Sequence, residues 1–160
     1  MSVRLCFLMC LLLGLSLSVT AAEETPAVAV PAHDAELAQR TGADEMGMRK
    51  FVLVILKSSE TPVPKGPERD EMFKGHFANM GRLSKEGVLA LAGPLDGVDG
   101  WRGLFVLAVE DIETAKRHVE TDPVIVKGEM VAEYHRYYGS AALMLIPEWH
   151  ERLQKPKASP

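Results

Sequence analysis

The clearest periodicity in the chain lies between Met72 and Leu83. Wound at 100° per residue, Met72, His76, Met80 and Leu83 fall on one stripe, with Phe73 beside it. Lys74, Asn79, Arg82 and Lys85 fall toward the margins or the opposite side. The pattern predicts a helix from about Glu68 to Glu86, with Gly87 as its C-terminal stop. Gly75 and Gly81 sit inside it at a cost in propensity, which either reflects close approach of another backbone or is a simple local weakness.

The other apolar runs have a different texture. Phe51–Leu56 and Leu104–Val109 are apolar without alternation, which predicts strands buried on both faces. Val88–Ala92 is a shorter strand closed by Gly93-Pro94, and Asp96–Gly100 has the turn chemistry of a connection. Ser58–Pro67, with three prolines and a glycine, is a loop. Asp111 caps a second helix that Pro123 ends near Thr121, and Val124–Gly128 is a short apolar turn or helical piece. Met130–Tyr138 predicts a fourth strand, with Glu133, His135 and Tyr137 on one face and Ala132, Tyr134 and Arg136 on the other. Ala141–Ile146 is a further apolar segment, followed by Pro147 and an amphipathic stub ending near Gln154.

The resulting order, β-α-β-β-α-β, is that of an α+β ferredoxin-like sandwich with a four-stranded antiparallel sheet. In that arrangement the first and third strands are central, and these are the two runs that are apolar on both sides. Helices cover only one sheet face. The other needs either the Ala141–Ile146 segment or a second copy of the chain, and a two-fold homodimer is the economical answer.

The ends change the picture. Arg4, the apolar run Leu5–Val19 and the small residues Thr20-Ala21-Ala22 predict a cleaved secretory signal over residues 1–22, and hence a periplasmic or secreted protein. The run is shorter than a membrane span and is followed by Glu23 and Glu24, so no membrane association is expected after cleavage, an uncleaved anchor being the lesser alternative. Cleavage removes Cys6 and Cys10, leaving no thiol or disulfide chemistry. It also removes Arg4, taking Lys+Arg from 18 to 17 against 22 acids and the formal charge from −4 to −5. A mildly acidic chain without a basic patch does not suit nucleic acid. Residues 23–48, rich in Ala, Pro, Thr and acids, read as a flexible linker, in which Asp34–Arg40 could form one helical turn. Residues 49–155 then form one domain and residues 156–160 a loose tail.

Candidate chemistry centres on His76, an imidazole on an inward-facing stripe. Oriented by a carboxylate it is a general base; bonded to a backbone carbonyl it is a buried structural histidine. Asp122 before Pro123 either starts a turn or faces His76 from the neighbouring helix. Asp96 is a turn residue or a second acid beside His76, and Arg102 either binds an anionic substrate or is an ordinary exposed arginine at a strand start. Glu133 and His135 share a strand face as binding candidates. With His76 they could make a three-ligand metal site, but a polar interface face explains them equally well, so no metal is expected. No Gly-rich phosphate loop, nucleophile elbow or cysteine motif is present, and no cofactor is expected.

An ordered set of short motifs then comes together. It comprises His76, Gly81-Arg82-Leu83, Ala92-Gly93-Pro94-Leu95, Gly103-Leu104-Phe105-Val106, and Asp122-Pro123 with Gly128. Over about Arg49–Tyr138 the set resembles the YciI-like, YCII-related domain family. The resemblance implies a dimeric ferredoxin-like fold with a His/Asp-centred site in a cleft. Some relatives act as dehydrochlorinases on chlorinated aromatic ring-degradation intermediates, and wider fold relatives include small-lactone isomerases and cofactor-free monooxygenases. Residue by residue the resemblance reaches His76 and Asp122, with Asp96 as a second acid at the Gly-Pro turn. The secretory leader departs from typical cytoplasmic members, so no shared metabolic substrate carries over. Two functions follow as expectations. One is a cofactor-independent enzyme moving a proton on a small aromatic or enol-type molecule; the other is a non-catalytic module that binds a small ligand or only dimerises.

Overall fold

The computed structural model describes residues 32–155. The expected leader, most of the linker and the tail lie outside the described residues. The elements are α1 (Ala35–Thr41), β1 (Met48–Ser58), α2 (Pro67–Lys85), β2 (Leu89–Pro94), β3 (Trp101–Leu107), α3 (Ile112–Val119), α4 (Pro123–Val126), β4 (Met130–Ser140) and α5 (Ile146–Leu153). A 3-10 turn at Val98–Gly100 precedes β3, and another at Ala141–Leu145 leads into α5. The four strands form one antiparallel sheet in the order β2-β3-β1-β4. The two strands expected at the centre are the inner pair, which is why they lack alternation. No helix among the described residues is long and apolar enough to cross a membrane.

The helix boundaries follow from local chemistry. Pro67 occupies the first helical position of α2, where its missing N–H costs nothing. Glu68 and Asp70 lie in the first turn and Arg82 and Lys85 in the last, matching the helix dipole. Gly87 follows the helix at φ 72°, the left-handed conformation that releases the chain into β2. Asp111 caps α3 by accepting from the Thr114 N–H at 2.7 Å. The third strand begins at Trp101 rather than Leu104, because Trp101 and Gly103 already pair with β1.

The helical side of the sheet holds the main core. Val52, Val54 and Leu56 of β1 and Phe105 and Leu107 of β3 pack against Met72 and Leu83 of α2 and Ala115 and Val119 of α3. Burying each of the large side chains stabilises the fold by about 1.5–3 kcal/mol. On the other face Phe51, Ala90 and Val106 form a smaller cluster with Leu53, Leu91 and Leu104, over which the Ala141–Leu145 turn lays Leu143 and Met144. The C-terminal segment therefore covers part of this face. Val131 and Tyr137 on β4 stay exposed.

The last part of the stretch expected as a flexible linker is folded. Asp34 caps α1, Gly42 at φ 68° ends it, and Arg49 donates to the carbonyl of the buried Thr41 at 2.9 Å. Asp44 then accepts from Met46 and Met48 N–H groups and from the Tyr138 hydroxyl, which fixes the entry into β1. Capping residues at both ends outweigh the weak apolar pattern of α1 itself.

The two glycines inside α2 differ. A Cβ on Gly75 would lie 3.0 Å from the Pro123 ring, so this glycine lets α4 approach α2 closely. A Cβ on Gly81 would meet nothing within 4 Å. Gly81→Ala should therefore raise the urea-unfolding midpoint by the equivalent of about 0.5–1 kcal/mol. Gly75→Ala should lower it, since the gain in propensity is outweighed by displacement of Pro123. Equal shifts in both variants would show that α4 does not pack on Gly75.

Candidate functional site

Close packing of α4 on α2 brings Asp122 to His76. Pro123 fixes the start of α4, and Asp122 is its N-cap, accepting from the Val124 N–H at 3.1 Å. The same carboxylate lies 2.9 Å from His76 Nδ1 through both oxygens, and Asn79 Nδ2 donates to it at 3.2 Å. Asp122 is 1% exposed and His76 8%. Since a carboxylate accepting from all these neighbours leaves no proton for the ring to accept, the imidazole proton belongs on Nδ1. Nε2 is then the basic nitrogen, and it has no hydrogen-bond partner among the described residues.

Asn79 is held in turn. Arg82 donates to its Oδ1 at 2.8 Å and to Thr121 Oγ1 at 3.2 Å, and Thr121 Oγ1 lies 3.3 Å from the same Asn79 oxygen. This network fixes which end of the Asn79 amide faces Asp122. His76, Asn79 and Arg82 follow one another at i, i+3 spacing on α2, a relation present in the sequence although Asn79 and Arg82 fall toward the margins or the opposite side of the apolar stripe.

The imidazole faces a cavity of about 270 Å³. Its ring lies nearly parallel to Phe105 at 6.0 Å, tilted to Phe77 at 5.4 Å and edge-on to Phe73 at 6.1 Å. Met80, Gly93, Pro94, Gly103, Leu56 and Met130 complete the apolar wall, and Arg102 is the cation in it. Phe77 lines the cavity yet is 65% exposed, so it stands at the opening.

Arg102 reaches this wall through a bulge. Leu56 pairs with Gly103 and Lys57 with Trp101, so Arg102 is the extra residue between them. Strict alternation would have put it with Leu104, on the sheet face away from His76. Gly103 permits the crowding there, since a Cβ would lie 3.1 Å from the Gly93 carbonyl oxygen.

Behind the cavity lies a buried acid absent from the sequence reading. Glu129 is 0% exposed, accepting from Arg69 at 2.5 Å and from the Val63 N–H at 2.9 Å. Its Oε1 is 3.8 Å from Arg102 Nη1. Arg69 also stacks over Phe73, 4.8 Å from the ring centre, and its bond to Glu129 holds the guanidinium still more firmly in its charged form. No local pattern in the sequence marks Glu129, which directly precedes β4, as buried.

The remaining candidates are placed elsewhere. Asp96 is exposed and accepts from the Val98 N–H at 3.1 Å, so it closes its own turn and makes no contact with His76. Glu133 and His135 pair with Ile55 and Leu53, which puts them on the sheet face opposite His76. They bond each other at 2.8 Å, and this bond, followed by that to Lys57 at 3.3 Å, holds the Glu133 carboxyl below its ordinary range. A site combining them with His76 is not formed, and the described residues contain no cluster of three or more His, Cys, Asp or Glu side chains arranged around a metal.

Asp122 thus serves both the α4 cap and the imidazole. Asp122→Ala should cost about 2–4 kcal/mol in urea unfolding, because it removes the cap and strands buried donors on His76 and Asn79. Asp122→Asn, which keeps an acceptor for Val124, should cost clearly less. Similar losses in both variants would mean that the cap contributes little.

No individual curated protein matches the chain. The family model described as the YCII-related domain matches residues 50–135, a span from β1 to β4 that contains His76, Arg102, Asp122 and Glu129. The match covers more than half of the 160 residues, and the chain belongs to the YCII-related domain family.

Proposed function

We propose that this protein is a small, cofactor-independent enzyme in which His76 Nε2 acts as a general base on a small ring-shaped or enol-type molecule. The observation that carries the reading is the division of labour on one imidazole. Nδ1 is tied to a buried carboxylate at 2.9 Å, while the ring borders an aromatic-lined cavity. A carboxylate in that position holds the tautomer and stabilises the imidazolium formed when the base takes up a proton. Proton abstraction next to a carbonyl or enol, followed by elimination of a leaving group or reprotonation at another carbon, needs no further reagent. The same base can return the proton.

The setting is a ferredoxin-like sandwich paired as a homodimer. Support for the pairing comes from the sheet face away from His76, where Val131 and Tyr137 remain exposed beside Leu53 and Leu104. Export to the periplasm or beyond rests on the apolar leader and its small-residue cleavage site. The binding-only alternative expects an enclosed His76 and an Asp122 occupied with its turn alone. The cavity beside the ring and the bond between the two residues favour the enzyme.

Deuterium wash-in from solvent into a small cyclic 1,3-dicarbonyl compound tests the base directly. The wild-type protein should accelerate exchange, and His76→Asn, which keeps a donor toward Asp122, should reduce the catalysed rate by about 10²–10⁴-fold. Its circular dichroism and melting temperature should stay close to wild type. A folded variant exchanging at the wild-type rate would rule out His76 as the base.

A further inference from the structure

We propose that the cavity beside His76 takes a small planar anion, a ring bearing a carboxylate or enolate oxygen, with Arg102 as its anchor and Glu129 as the residue that positions Arg102. The inference rests on the reading of the cavity as a substrate site and adds the substrate's charge and the means of recognising it.

The charges around Glu129 do not balance. Glu129 is a single buried carboxylate with two guanidinium groups on it. Arg69 holds it at 2.5 Å and the Val63 N–H at 2.9 Å, so its strongest bonds are already made. Arg102 is left at 3.8 Å from the carboxylate and 3.5 Å from Ser58 Oγ, and has no closer acceptor among the described residues. One negative charge cannot neutralise two cations, so the wall carries an uncompensated positive charge. A guanidinium offers five N–H groups in a rigid fork that matches a carboxylate, and most of those on Arg102 are unused.

Three further observations aim that charge into the cavity. The bulge at Arg102 turns the side chain from the sheet face where alternation would put it to the one that His76 occupies. Bulges that redirect a side chain are found beside active sites. Next, the rest of the wall is aromatic, aliphatic or glycine, which raises the strength of a charge-assisted bond above its value in water. Last, the volume suits one substituted ring. A cavity of roughly 150 Å³ holds benzene, and this one measures about 270 Å³. Phe73, Phe77 and Phe105 give such a ring flat surfaces to lie against. Its anionic oxygen then points to Arg102, and a carbon-bound proton is left for His76.

Glu129 acts without touching the ligand. It sits below Arg102 as a counter-charge close enough to keep the side chain from swinging out to solvent, yet too fully bonded to capture it. It also ties the Ser58–Pro67 loop to the site through Val63 N–H and through its own carbonyl, which accepts from the Ser59 N–H at 3.3 Å.

The test is binding, measured without turnover. Benzoate and its neutral isostere benzamide are titrated by calorimetry, with amide shifts of Phe77, Gly103 and Phe105 locating the ligand. Wild type should bind benzoate at least tenfold more tightly than benzamide. Arg102→Gln should abolish the preference while circular dichroism stays unchanged, and Lys57→Gln, a charge loss on the opposite sheet face, should leave it intact. Arg69→Gln frees Glu129 to capture Arg102 and should weaken benzoate severalfold without altering benzamide affinity, a split that a merely structural role for the cluster would not give. His76→Asn should retain the preference, so loss of the base and loss of the anchor are read separately. Equal affinities, or a preference that survives Arg102→Gln, would overturn the inference and leave the His76 mechanism standing. Failure of both compounds to shift the cavity amides would overturn the inference together with the site reading beneath it.

Discussion

The site depends on one buried carboxylate. An Asp at 1% exposure is tolerable only if its oxygens are filled with donors, and Asp122 fills them from three directions. One is the backbone of the helix that it caps, one is Asn79, and the third is the imidazole of His76. Fold and site therefore share an interaction. The packing that keeps α4 on α2, made possible by the bare Cα of Gly75 against Pro123, is the packing that sets the imidazole's tautomer. Structural and chemical demands on Asp122 point the same way, so the ring is ordered before any ligand arrives.

A second buried carboxylate organises the other side of the cavity. Glu129 gathers Arg69, the Ser58–Pro67 loop and, more loosely, Arg102. The two acids sit at the two ends of the segment from Asp122 to Glu129, which passes from the α4 cap into β4. One end holds an imidazole in a fixed tautomer and the other a cation with spare donors. Between them lies an apolar chamber, in which a charge-assisted bond to Arg102 is stronger than it would be in water. In the proposed mechanism the general base needs a substrate held in a defined pose, and a charged anchor across an aromatic cavity would supply that orientation.

Much of this was legible in the sequence, for physical reasons that can be named. The order of elements could be read because the central strands lack alternation and because Gly87, Asp111 and Pro123 punctuate the helices. His76 could be read because an imidazole interrupts an apolar stripe, and Asp122 because Asp-Pro both caps and starts a helix. Arg102 reads in the sequence as a candidate for anion binding, but its route to the cavity depends on a register shift against Leu56 and Lys57, which no single-strand pattern contains. Glu129 stayed hidden because its burial is compensated by Arg69, 60 residues away in sequence. The second role that the sequence allows Asp96 is used up by its own turn. The helix α1 is only faintly legible because capping, rather than apolar periodicity, holds it.

The central claim is that Asp122 fixes the proton of His76 on Nδ1 and leaves Nε2 as a base facing the cavity. Long-range ¹H–¹⁵N correlation spectra of the imidazoles, recorded above the neutral range, measure this directly. The account predicts a His76 spin system with a protonated Nδ1 and a bare Nε2, separate from the averaged signals of the exposed histidines. A His76 ring carrying its proton on Nε2, or exchanging freely between the two tautomers, would contradict it.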